Sequence, residues 1–186
     1  MKPLFFYLLL LSFTNSVAQN IDTASIIKQL DTIFDRDQKT RARGDSTAFM
    51  AFIDSTNLIQ IEALITKYGW LGKSFVGVRG VYTVFIVIQH ADLKTQEKYL
   101  PLLENSVAKK ELRASDLALL QDRILMRKGK KQIYGSQIVP NNSTGGWKFY
   151  PIEDEKNVNM RRQKIGLPPL EEYAKYFDIK YKLPTQ

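Results

Sequence analysis

The stretch LALLQDRILMRKGKKQIYGSQ, residues 117–137, carries two periods in succession. Leu117, Leu120, Ile124 and Leu125 recur at helical spacing, and Gly129 is a natural stop. From Gln132 the period becomes two, so that Gln132, Tyr134 and Ser136 fall on one face of a strand. Trp147–Tyr150 supplies a partner strand across the Pro140–Gly146 loop, whose asparagine, serine and glycine content is that of a turn. The reading is a helix followed by a β-hairpin near residues 132–150. Inside the helix, Gln121, Asp122 and Arg123 interrupt apolar neighbours. Burying such groups is expensive unless they are paired, so they are either structural glue or a site.

Working outward, helices recur. Ile27, Leu30 and Phe34 mark one from Ile21 to about Arg43, stopped by Gly44. Asp45 or Ser46 caps a second, with Phe49, Phe52, Ile53, Ile59, Leu64 and Ile65, ended by Gly69. Trp70–Gly80, with Gly72, Gly77 and Gly80, reads as a loop. Val81–Ile88 is mostly β-branched or aromatic, which suits a buried strand. It passes without a turn signal into Gln89, His90 and the helical Leu93–Lys110 stretch, which favours a buried helix. Ser115 is a cap for the 117–127 helix. Asp154 or Glu155 starts another helix through Lys164, and Pro168-Pro169 opens a last one, Leu170–Phe177. The fold class is mainly α, a single helical domain spanning residues 19–186 with one β-hairpin.

Residues 1–18 have the order of an export signal: Lys2, the apolar run Leu4–Leu11, then small residues Ser16-Val17-Ala18 before Gln19. The run is short of the roughly 20 residues that span a bilayer. No later stretch is read as long enough, so no transmembrane segment is expected after cleavage, and the protein is expected to be exported, periplasmic or secreted. Zero cysteines exclude disulfides, thiolate metal sites, a cysteine nucleophile and lipid attachment at the cleavage point. The net charge of +8 falls by one when Lys2 leaves. In an exported chain that excess reads as solubility, and no nucleic-acid partner is expected. The run Arg127-Lys128-Gly129-Lys130-Lys131 suits the end of a helix.

His90 is the only histidine, and imidazole is the side chain that titrates near neutrality. It is either a proton shuttle or a residue satisfied by one hydrogen bond at the end of a buried segment. With one histidine and no cysteine no zinc set is present, so no metal or cofactor is expected. Glu153-Asp154-Glu155 is more simply a helix N-terminus. Asp122 and Arg123 lie about 100° apart on a helix, so one faces a partner in the core while the other turns to a cleft. Asp37 and Arg41 continue the Leu30–Phe34 stripe onto the inward face; they are read first as a favourable i, i+4 pair, the alternative being that they line a pocket at the rim of the core. Of Arg161 and Arg162, one is expected in solvent and one on an acid or anion. Tyr134, Gln132 and Gln137 offer directional donors and acceptors suited to a polar ligand. No nucleophile elbow or phosphate-binding loop appears.

Gln89-His90-Ala91-Asp92, then Asp122-Arg123, Gly129-Lys130, Gln132, Tyr134-Gly135 and Gln137, then Arg161-Arg162 leading to Gly166-Leu167-Pro168-Pro169-Leu170 and Tyr173, resemble an uncharacterised bacterial family described only as a domain of unknown function. Asp37-Gln38 with Arg41, and Gly69-Trp70 ahead of Val76-Gly77, fit the same pattern over roughly Ile21–Tyr176. Ser136 departs from it, where threonine is commoner. The resemblance implies a shared site and no established activity, cofactor or partner. The expectation is a cleft for a small polar or anionic ligand. His90, Asp122 and Arg123 would be its reactive residues, and Gln132, Tyr134 and Gln137 its binding residues. The alternative is a non-catalytic envelope module in which the same residues form a buried network.

Overall fold

The computed structural model describes residues 22–143 and 145–184. The expected export signal therefore lies outside the described residues. Seven α-helices are found among them: α1 Thr23–Ala42, α2 Thr47–Tyr68, α3 Lys73–His90, α4 Leu93–Ala108, α5 Ala114–Arg127, α6 Val158–Lys164 and α7 Leu170–Lys175. One antiparallel pair completes the fold, β1 Ile138–Pro140 with β2 Trp147–Phe149, in the register Ile138↔Phe149, Val139↔Lys148 and Pro140↔Trp147. The domain is mainly α with a single hairpin.

The centre is α3. From Gly80 to Gln89 every residue is buried except the half-exposed Tyr82. A helix apolar all round belongs inside a bundle. Its β-branched residues argue locally for a strand, but a lone strand would leave every backbone N–H and C=O unpaired in the core. A helix pairs them itself. α1 and α2 cover one side through Ile26, Leu30, Ile33, Ile53, Ile61 and Leu64, and α4 and α5 cover the other through Leu103, Leu117 and Leu120. Asp22 caps α1 by accepting from Ser25 N at 3.0 Å, and Asp92 caps α4 by accepting from Thr95 N at 2.7 Å.

Several local expectations are corrected. Residues 73–80 are helical rather than a loop: the glycines there permit a kink, at Gly77 (φ 76°, ψ 174°), and the close approach of α1 at Gly80. The N-cap of α5 is Arg113, not Ser115, and its guanidinium clasps Asp116 at 2.8 and 2.7 Å. The hairpin strands are shorter than expected, because residues 132–137 form a loop held by side chains. The 154–164 helix begins as a 3-10 turn, Glu155–Asn157, ahead of α6, and α7 ends at Lys175. By length and composition alone, α2 is long and apolar enough to cross a membrane, which corrects the reading that no stretch beyond the export signal has that property. Its Ile53, Asn57, Ile61 and Leu64 are buried within the bundle, while Phe49, Phe52 and Ile59 are exposed.

A second, smaller apolar cluster, Ile152, Val158 and Leu170 with Phe149, Tyr173, Tyr181 and Leu183, knits the hairpin to α6 and α7.

The packing of α1 on α3 predicts one sensitive position. A Cβ on Gly80 would lie 2.8 Å from Val76 Cβ and 3.2 Å from Leu30 Cδ1. Gly80→Val should lower stability by about 2 kcal/mol, the usual range for overpacking a dense core. Denaturant unfolding monitored by circular dichroism measures it, with the midpoint moving at unchanged slope.

Candidate functional site

The polar residues singled out by sequence divide into two clusters. The first is a loop anchor. Asp122, fully buried on α5, accepts from Ile133 N (2.7 Å) and Tyr134 N (3.0 Å) on one carboxylate oxygen and from Ser136 N (2.9 Å) on the other. Gln132, also fully buried, donates through Nε2 to Tyr150 O (2.7 Å) and Gln137 O (3.0 Å) and accepts from Gln137 N (2.8 Å). The Gln137 amide donates to Ser136 Oγ (3.0 Å) and Leu119 O (3.4 Å). The main chain pairs with residues 150–153 only at Gln132 and Gln137, and these side chains bind the backbone groups of the loop between. Charged hydrogen bonds of this kind are about twice as strong as neutral ones.

Arg161 and Arg162 serve the same loop, and neither is the solvated member of a pair. Arg161 Nε donates to Ile133 O at 2.9 Å. Arg162, 1 % exposed, donates to Tyr134 O (2.7 Å) and Pro168 O (2.6 Å) while its guanidinium lies over the Tyr173 ring. Burial pushes the Arg162 guanidinium down from its ordinary value, and it pushes the Tyr134 phenol up, with Asp122 adding to the latter.

The second cluster lies where the C-terminal end of α3 meets α1 and α2. His90 Nδ1 lies 3.0 Å from Asp37 Oδ1, within hydrogen-bond distance. Arg41 also reaches that oxygen (3.0 Å), and Gln38 Nε2 donates to the other (2.7 Å). The second arm of Arg41 holds Asp54 of α2 at 2.7 Å. Asp37 is wholly buried, whereas His90, Arg41 and Asp54 keep part of their surface. A cleft of about 340 Å3 opens beside them, bordered by Asp54, Ser55, Leu58, His90, Asp92 and Arg127. That volume lies at the small end of ligand pockets. Arg127 spans its edge by donating to Ala91 O at 2.6 Å.

Arg123 stands between the two clusters. Adjacent to Asp122 but turned from it, it donates weakly to Gln89 O at 3.4 Å, one residue before His90. Its Nε is buried without a hydrogen-bond partner, and it has no ion pair among the described residues. Burial pushes its guanidinium down, followed by the like charges of Arg127 and Arg41.

Of the six residues expected to converge, Asp122, Gln132, Tyr134 and Gln137 meet in the loop anchor. His90 stands in the other cluster, with Arg123 behind it. Asp54 was missed, although it carries the signal that marked Asp122, a charge within an apolar helix. Arg127 was read only as a helix-end cation. The ligating atoms of Asp37, Asp54 and His90 lie within 4.8 Å of one another, and among the described residues this is the group that could hold a metal ion. Arg41 bridges both carboxylates, and a guanidinium thus stands where a cation would go.

What emerges is a helical domain with an Asp–His contact at the mouth of a cleft and a hairpin unit tied to it by one buried carboxylate. The family model described as "Family of unknown function (DUF6624)" matches residues 21–186, and the chain belongs to that family. No curated protein and no solved structure matches the chain.

The two clusters predict opposite responses to substitution. Asp122→Asn leaves buried backbone donors without a charged acceptor and should lose on the order of 3 kcal/mol. That corresponds to a Tm lower by roughly 6–12 °C for a chain of this size. His90→Gln should stay within about 1 kcal/mol of the parent. Arg123→Met removes a buried cation without a carboxylate partner and should leave Tm unchanged or raise it. Thermal melts of the three variants distinguish these outcomes.

Proposed function

We propose that the cleft beside His90 binds a small polar or anionic molecule, and that His90 takes a proton from it. The observation that carries this is the Asp37–His90 contact. A carboxylate only accepts, so the proton shared with Asp37 sits on Nδ1, and Nε2 keeps the lone pair. Asp37 holds the ring in that tautomer and orients it, leaving Nε2 as the atom that accepts a proton, the ordinary arrangement for a general base. Arg127 at the cleft edge supplies a cation for the ligand's negative charge, with Arg123 adding to the positive field behind it. Arg41 is bound to both Asp37 and Asp54 and serves to position them.

The export reading of residues 1–18 would put this cleft outside the cytoplasm. A second reading, a non-catalytic envelope module, is supported by Asp122, Gln132 and Gln137, which are turned inward and matched to backbone groups.

The single histidine makes the test direct. Nitrogen-resolved NMR of the imidazole should show the neutral ring protonated at Nδ1. Titration with inorganic phosphate, or with acetate, should move its signals. Arg127→Met should weaken that response at least tenfold while leaving the tautomer unchanged. A neutral ring protonated at Nε2, or ring signals that neither probe moves, overturns the proposal in favour of the non-catalytic module.

A further inference from the structure

A cavity larger than the cleft beside His90 lies away from it. It is a half-open groove of about 910 Å3 between α1, the first half of α3 and the turn joining α4 to α5. Val78 on its lip stands twelve residues from His90 along α3, which is ~18 Å for an unbroken helix. Its walls are mostly apolar: Phe34, Val81, Tyr82, Val107, Leu112 and Ala114. Val78 itself is 65 % exposed, an apolar side chain left facing water at the edge.

The charges stand around this apolar trough, and most are already matched. Arg79 lies over the Phe34 ring at 4.2 Å and is held by Asp31 (2.7 Å) and Asp35 (2.8 Å). Arg113 lies over the Tyr82 ring at 5.3 Å and is held by Asp116. The Glu111 carboxylate accepts from Ser74 N at 2.6 Å, at the start of α3. Lys73 lies within Coulombic reach of Glu111, yet neither Lys73 nor Lys110 forms an ion pair among the described residues. The groove therefore joins an apolar trough to a margin with two uncommitted ammonium groups.

We infer that this groove binds a monomeric single-chain amphiphile with an anionic head, its acyl chain lying along the apolar walls and its head meeting Lys73 and Lys110. An extended peptide in the same place would bury backbone N–H and C=O groups against carbon walls that offer few partners. A methylene chain has no such groups. The volume falls in the upper part of the range for small-molecule sites. The inference does not rest on the His90 cleft, and the two can fail separately.

The test uses the chain from Gln19 and the fluorescent fatty acid cis-parinaric acid. Binding should saturate at one probe per chain and be displaced by palmitate, while 1-hexadecanol, with the same chain and no charge, should compete at least tenfold less well. The pair Lys73→Glu with Lys110→Glu, on exposed side chains, should weaken palmitate at least tenfold without lowering Tm. Ala114→Trp, which fills the trough, should abolish binding, and His90→Gln should bind as the parent does. Displacement by hexadecanol equal to that by palmitate, affinity unchanged in the lysine pair, or binding only to anionic phospholipid vesicles overturns the inference. Displacement of the probe by an amphipathic helical peptide, with none by palmitate, would make the groove a protein-docking site instead.

Discussion

Burial of α3 from Gly80 to Gln89 is the constraint from which the rest of the bundle follows. A helix with Val84, Ile88 and their neighbours out of water must be covered by partners on every side, and α1, α2, α4 and α5 provide that cover. The cover fails at two places. At the C-terminal end of α3, polar residues take over from apolar ones, and the Asp37–His90 contact forms at the margin. Toward its N-terminal end the Gly77 kink precedes the groove, where the covering helices part. Both features are thus results of how the central helix is enclosed.

The hairpin unit is attached by different physics. Its own apolar cluster is small, and its two strands share only three residue pairs. Asp122 supplies what hydrophobic area does not, gathering three main-chain donors around one charge. Gln132 and the two arginines satisfy the carbonyls nearby. An unsatisfied member of such a network would be expensive at low dielectric. The density of hydrogen bonds explains why polar residues crowd this part of the chain.

Much of the fold was legible because its signals act over long stretches. The 3–4 spacing of Leu30 and Phe34, or of Leu117 and Leu120, reports the face turned to the core directly. Val81–Ile88 had to be assigned from its unbroken passage into His90, since β-branched content and burial point opposite ways. Glycine misled at residues 73–80, where Gly77 allows a kink and Gly80 a close approach, uses that look alike in sequence to a loop. The site was legible in part. A charge inside an apolar helix marked Asp122 and equally marked Asp54, but sequence does not distinguish a carboxylate aimed at backbone donors from one aimed at a cleft. Gln132 and Gln137 were read as ligand-binding because amide side chains suit recognition. Here their side chains bind backbone groups of the same loop, a role that depends on how the 132–137 and 150–153 segments fold together.

Arg41 joins Asp37, on its own helix, to Asp54 on α2, while Asp37 holds His90 on α3. Three helices are therefore tied at one carboxylate, and the rotamers of four side chains are set before anything enters the cleft. Ordering a rotamer-rich side chain on binding opposes association by about 0.5–1.5 kcal/mol each. A frame assembled during folding has already absorbed that loss. The cleft is bordered by side chains already fixed in place, so under the proposed function its selectivity would come from shape and charge placement rather than from adjustment around a guest.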